Sequence, residues 1–82
     1  MPRYALGWAD IALDHYLALP PDVQQLVDAR ISGLLELPDG PGTSYDPGTD
    51  HWTTTAAAGE VLMVYVFQVG LPRLVILRLV HF

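Results

Sequence analysis

The stretch that decides the fold is GEVLMVYVFQV, Gly59 to Val69. It has the length and the β-branched and aromatic content of a strand, yet it lacks the apolar–polar alternation of a half-buried one. From Val61 to Phe67 every side chain is apolar. Both faces of such a strand want cover. Val61, Met63, Tyr65 and Phe67 are expected to face a helical layer, and Leu62, Val64 and Val66 to form an apolar row on the opposite face.

Outward from this strand, turns of type AGE and GLPR punctuate the chain on either side. Before the first turn, HWTTTAAA reads as a strand beginning near Trp52 and carrying three threonines. After the second, LVILRLVHF reads as a last strand. A strict two-residue period puts Leu74, Ile76, Arg78, Val80 and Phe82 on one of its faces and Val75, Leu77, Leu79 and His81 on the other. Taken alone, Val61–Val80 is long enough to span a bilayer, but Gln68, Gly70, Pro72, Arg73 and Arg78 interrupt it, so two strands and a turn fit better.

Upstream, RYALGW alternates Tyr4, Leu6 and Trp8 on one side of a first strand. A short helix follows over ADIALDHYLAL, with Ile11, Ala12, His15 or Tyr16, and Leu19 able to share a face. Pro20 and Pro21 stop it, and a proline with Asp22 suits the start of a new helix. In that second helix Val23, Leu26, Val27, Arg30, Ile31, Leu34 and Leu35 recur at helical spacing, and Pro38 and Gly40 end it. Pro38–Asp50 is a connection rich in proline, glycine and aspartate. The expected fold is α+β in the order β-α-α-β-β-β. A helical hairpin packs on one face of a small, mostly antiparallel sheet, in a single domain covering residues 1–82.

Composition narrows function. The 82 residues carry four arginines, no lysine and nine acids, for a net charge of −5. Strong autonomous nucleic-acid binding needs a concentrated basic surface, which this composition does not supply. There is no cysteine, hence neither a disulfide nor a thiolate metal site. No signal peptide is visible at the start of the sequence, so a soluble, cytoplasmic protein is expected. His51 with Asp46 and Asp50 has hard-ligand character but no fixed scaffold, and a solvated acidic loop is the expected reading. Ser32 and Ser44 lie in no nucleophile context, and Gly40, Gly42 and Gly48 form no phosphate loop. No metal or cofactor is expected.

The order of elements, with Trp8 closing the first strand, Leu19-Pro20 between the helices, Leu37-Pro38 after the second, then Trp52, Gly59 and Tyr65 in the meander and VILRLVH ending at His81, resembles the RelE/ParE superfamily of small bacterial toxins. The resemblance covers nearly the whole chain. It implies the toxin component of a type II toxin–antitoxin module, neutralised by a protein antitoxin. It also implies one of two targets, mRNA on the ribosome or DNA gyrase. Among the family's catalytic positions it delivers His81 and, more loosely, Arg78. An arginine usual after the meander glycine is here Leu62, and the cations usual in the preceding strand fall among Thr54, Thr55 and Ala56. Phe82 follows His81 where the family often adds arginine and tyrosine. Whether the chain is an endoribonuclease is therefore left open by its residues. The bland reading of Arg78 is an ion pair with an acid such as Glu60.

The alternative is a non-catalytic interaction module, or a homodimeric binding protein, on the same fold. Both readings put Leu62, Val64, Val66 and Trp52 at a partner interface, with an antitoxin or a second copy of the chain as partner.

Overall fold

Alternation at the start of the chain and helical periodicity after it produce the layers expected. The computed structural model describes residues 3–82. Strand β1 (Ala5–Trp8) leads into helix α1 (Asp10–Leu17) and helix α2 (Pro21–Glu36), then strands β2 (Thr43–Asp46), β3 (His51–Ala56), β4 (Val61–Gln68) and β5 (Arg73–His81). The five strands form one sheet in the order β1-β5-β4-β3-β2. Only the β1–β5 pair is parallel. The expected order holds, with β2 added as a short edge strand inside the Pro38–Asp50 connection.

Both helices lie on one side of the sheet. The side chains of α2 that enter the core are Val23, Val27, Ile31, Leu34 and Leu35, whereas Leu26, expected on the same stripe, is exposed. In α1 only Ala12 is fully buried, with Tyr16 half-buried beside it, while Ile11 is exposed and His15, though largely exposed, reaches across to β5. Leu6 and Trp8 share the helix-facing side of β1, opposite Leu74 and Ile76. From β4, Val61, Met63 and Tyr65 are completely buried, as the sequence pattern predicts.

Two polar devices fasten the Pro38–Asp50 segment to this core. The Tyr65 hydroxyl donates to the Pro38 carbonyl. Arg30 donates to the Thr54 hydroxyl from Nε at 3.1 Å and from Nη2 at 2.7 Å, and Nη2 also reaches the Pro41 carbonyl at 3.0 Å. The Thr54 hydroxyl passes its own proton to the Gly42 carbonyl at 2.9 Å. A cation inside a helical stripe is thereby satisfied without a counter-ion.

The last strand departs from strict alternation. Val64 stands opposite Arg78 but Tyr65 opposite Ile76, so Leu77 is an extra residue, a bulge. Beyond it the faces exchange. Leu74, Ile76, Leu79 and His81 lie on the helix-facing side, and Val75, Arg78 and Val80 on the open side. This corrects the regular two-residue reading of the strand. Without the bulge, Arg78 would enter the core beside Leu74 and Ile76, where an unpaired guanidinium costs several kcal/mol, about 3–5 by analogy with broken buried pairs.

Candidate functional site

No helix covers the second side of the sheet. Its centre is the row Leu62, Val64 and Val66 on β4, all half-buried. Thr55 and Thr53 stand opposite Leu62 and Val64 on one flank. Val80, Arg78 and Val75 stand opposite Leu62, Val64 and Val66 on the other. The expected apolar row is thus real and lies on the open face. Trp52, grouped with it on sequence grounds, does not join it. Trp52 pairs with Tyr65 on the helix-facing side and packs between Tyr45 and Phe67, with ring centroids at 5.1 and 5.3 Å.

The two residues expected to do chemistry stand on different faces of β5 but border one cleft. Arg78 is exposed on the open face beside Val64. Glu60, its expected partner, is four positions along β4 from Val64 and gives the far end of the strand only its backbone carbonyl, which accepts from Phe82 N at 2.8 Å. His81 stands opposite Val61, on the helix-facing side. It borders a cleft of about 410 Å³ shared with His15 and Leu19, which wraps the edge of β5 past the end of β1. His15 Nδ1 lies 2.9 Å from the Leu79 carbonyl, so that nitrogen donates and the ring fastens α1 to the strand edge. Residues bordering this cleft come from both sides of the strand, Arg78 included, but the Arg78 and His81 positions alternate onto different faces.

Two residues join the open face that the sequence reading did not place there. Arg73 enters it at the start of β5, opposite Gln68. His51 is put there by alternation with Thr53 and Thr55, opposite Asp46 of β2. The signal for His51 was present in the period of HWTTT, but the loop assignment of the preceding residues masked it. Among the described residues no cluster of three acids or histidines could hold a metal ion.

The titration behaviour of the chain concentrates away from this face. Burial pushes the Tyr65 phenol up to about 12. Hydrogen bonds to Asp28 and Asp50 raise Tyr16 and Tyr45. RNA cleavage needs cations on the non-bridging oxygens, a base for the 2′-hydroxyl and an acid for the leaving oxygen. The open face offers two guanidinium groups and one imidazole at its rim, set around an apolar centre.

The architecture itself has counterparts among solved structures. The intact E. coli RelBE toxin–antitoxin complex contains a chain that matches with a TM-score of 0.83 at 15% identity, over 96% of each chain. The isolated E. coli RelE toxin matches at 0.82 and 15% identity, over 95% of this chain and 83% of that one. The RelBE2 toxin–antitoxin complex of Mycobacterium tuberculosis matches at 0.80 and 18% identity, over 98% and 99%.

The fold is RelE/ParE-like.

A YoeB/ParE toxin from Agrobacterium tumefaciens, at 0.77 and 19% identity, agrees with it. No family model matches the chain and no curated protein matches it by sequence. The RelE/ParE-like sheet is therefore recognisable through its backbone, while its open face carries this chain's own side chains.

Proposed function

We propose that this chain is a single-domain, cytoplasmic toxin component of a bacterial toxin–antitoxin module, spanning residues 1–82 and neutralised by a protein antitoxin. The observation that carries the reading is the open face of a RelE/ParE-like sheet, whose centre is Leu62, Val64 and Val66 with two arginines at its margin. Two of the structures that share the fold are toxin–antitoxin complexes. No helix among the described residues is long and apolar enough to cross a membrane.

The toxin acts by binding a protein target rather than by cutting RNA. Leu62 stands where active relatives carry arginine by family resemblance. His81 and Arg78, the two residues that resemblance delivers, alternate onto opposite faces. Inhibition of a protein such as gyrase makes fewer demands on cations than gripping a phosphate backbone does.

Expression of the chain in a bacterial host, with and without the product of the adjacent reading frame, tests the proposal. Growth arrest relieved by the neighbour is the expected outcome. Val64→Asp, which places a charge in the middle of the row, is expected to abolish co-purification of the two products. No arrest, together with a monomeric parent that neither pairs with its neighbour nor responds to Val64→Asp, overturns the toxin reading. A dimeric parent that Val64→Asp dissociates, without arrest, supports the alternative of a homodimeric binding module. New mRNA 3′ ends on expression, lost in Arg78→Ala, would reverse the preference for binding over cleavage.

A further inference from the structure

At the β4–β5 hairpin end of the open face lies a pocket of about 260 Å³ lined by Val66, Gln68, Arg73 and Val75. Its four residues are two facing pairs of the ladder, Val66 with Val75 and Gln68 with Arg73. Under it runs β1, with Ala5 opposite Arg73 and Gly7 opposite Val75. Gly7 shapes the pocket. A β-carbon at that position would stand 3.3 Å from Arg73 Nη2, 3.4 Å from Arg73 Nε and 3.4 Å from Val75 Cγ2. The guanidinium therefore lies beside Gly7, and a branched side chain there would press on it.

Arg73 is uncommitted. Among the described residues, the side-chain hydrogen bonds made by arginines belong to Arg3 and Arg30. Its planar fork offers parallel donors to one planar anion, which suits a carboxylate received in bidentate fashion, and Gln68, its register partner on β4, adds an amide to the same pocket. Val66 and Val75 offer apolar walls to the methylene groups that carry such a carboxylate.

We infer that this pocket receives the carboxylate of an acidic side chain in an extended, otherwise apolar partner segment, fixing the position of that segment along the open face. The inference rests on the proposed function, in that it assumes a protein covers Leu62, Val64 and Val66. Charge distribution selects the occupant. Two of the four arginines, Arg73 and Arg78, are on this face, whereas five of the nine acids (Asp10, Asp14, Asp22, Asp28 and Glu36) ride on the helices behind it. A nucleic acid would bring a run of phosphates toward a chain of net charge −5 and find two cations. A peptide with one acid brings a single charge for the fork, and apolar side chains at two-residue spacing for the row.

The test is an NMR titration of the 15N-labelled chain with acetyl-Val-Ser-Val-Ser-Glu-amide, which carries its valines and its acid on one face when extended, its glutamine twin and the dinucleotide UpU. The glutamate peptide is expected to shift the Arg73 Nε–H and the Gln68 side-chain amide, and to bind at least tenfold more tightly than its twin. Arg73→Gln should remove the difference between the peptides while the backbone amides of Leu62, Val64 and Val66 still respond. Gly7→Val, checked for an unchanged fold by its amide spectrum, should cut the preference for glutamate by a similar factor. Equal affinity of the two peptides, silence at Arg73, or tighter binding of UpU there than of the glutamate peptide overturns the inference. The neighbour-protein experiment fails independently. A pair that forms and is broken by Val64→Asp, alongside peptides that bind alike, removes the pocket assignment and leaves the proposed function standing.

Discussion

Replacing Thr54 by valine deletes one oxygen from the middle of the chain's largest polar cluster. The substitution keeps β-branching and nearly the same shape, so strand propensity and packing are preserved. Three hydrogen bonds go at once, two received from Arg30 at 3.1 and 2.7 Å and one given to the Gly42 carbonyl at 2.9 Å. Bonds to a charged donor contribute roughly 1.5–3 kcal/mol, and neutral ones about 1. The three share atoms, so they do not add in full. Arg30 is half-buried and keeps the Pro41 carbonyl, which limits the cost of the stranded cation. The expected loss is about 2–3 kcal/mol, a large share of the roughly 4–12 kcal/mol that a domain of this size has in total. With a urea m-value near 1 kcal/mol/M, the midpoint falls by about 2–3 M. Fluorescence of Trp8 and Trp52 follows the transition, and amide exchange in β2 should accelerate because the start of that edge strand loses its tie to α2. In a double-mutant cycle with Arg30→Met, the coupling should be about 1 kcal/mol or more. A Thr54→Val change below about 0.5 kcal/mol, or additive single mutants, refutes the idea that this cluster anchors the Pro38–Asp50 segment.

Four further expectations follow from the same geometry. Because the Tyr65 phenol is pushed up to about 12 from an ordinary value of 10.0, the native state holds a proton that the unfolded chain has already released in that interval. Stability should be unaffected below pH 10 and fall by about 1.4 kcal/mol per unit between 10 and 12, seen as a lower urea midpoint that Tyr65→Phe does not show. The β3–β4 connection runs through Ala57, Ala58 and Gly59 at φ of 53°, 54° and 90°. Gly59→Ala meets no neighbouring atom within 4 Å, so its cost of about 1–2 kcal/mol should come from backbone strain alone. Ala58→Gly should raise stability by about 0.5 kcal/mol, the relief of strain exceeding the added chain entropy, and a thermal melt lower than that of the parent would contradict this. Deleting Leu77, the extra residue of the bulge, should give β5 strict alternation with Arg78 still on the open face and Leu79 still in the core. The variant should keep the parent's stability in urea to within about 1 kcal/mol, and a loss of about 3 kcal/mol or more would show that the bulge does more than set the phase of the strand.

The sequence made some of this architecture readable and hid other parts for identifiable reasons. The greasy run of β4 announced two apolar faces, and both exist. The stripe of α2 was readable because polar residues interrupt it, although Leu26 extends it further than the sheet can reach. Strand β2 was not readable. Its four residues are exposed or half-buried, and pairing with β3 rather than burial makes them a strand. The bulge was hidden for a different reason. In a run such as LVILRLV nearly every residue is apolar, so alternation has no phase to read. The one polar residue was the available clue, since an arginine on the parity of Leu74 and Ile76 is costly enough to demand a break in register. Missing that break put Arg78 on the wrong side of its strand. Trp52 misled through residue type, because an aromatic in a strand serves a core or an interface equally well.

The pairing of β1 with β5 has a consequence for how the protein comes into being. Residues 5–8 leave the ribosome well before their partners, residues 73–76. Until then, β1 has no neighbour and β4 lacks one of its two. The face that carries Leu62, Val64, Val66 and both outward arginines therefore cannot assemble until β5 has emerged. The surface proposed to meet a target is born only then, and a partner made alongside has that interval in which to be present first.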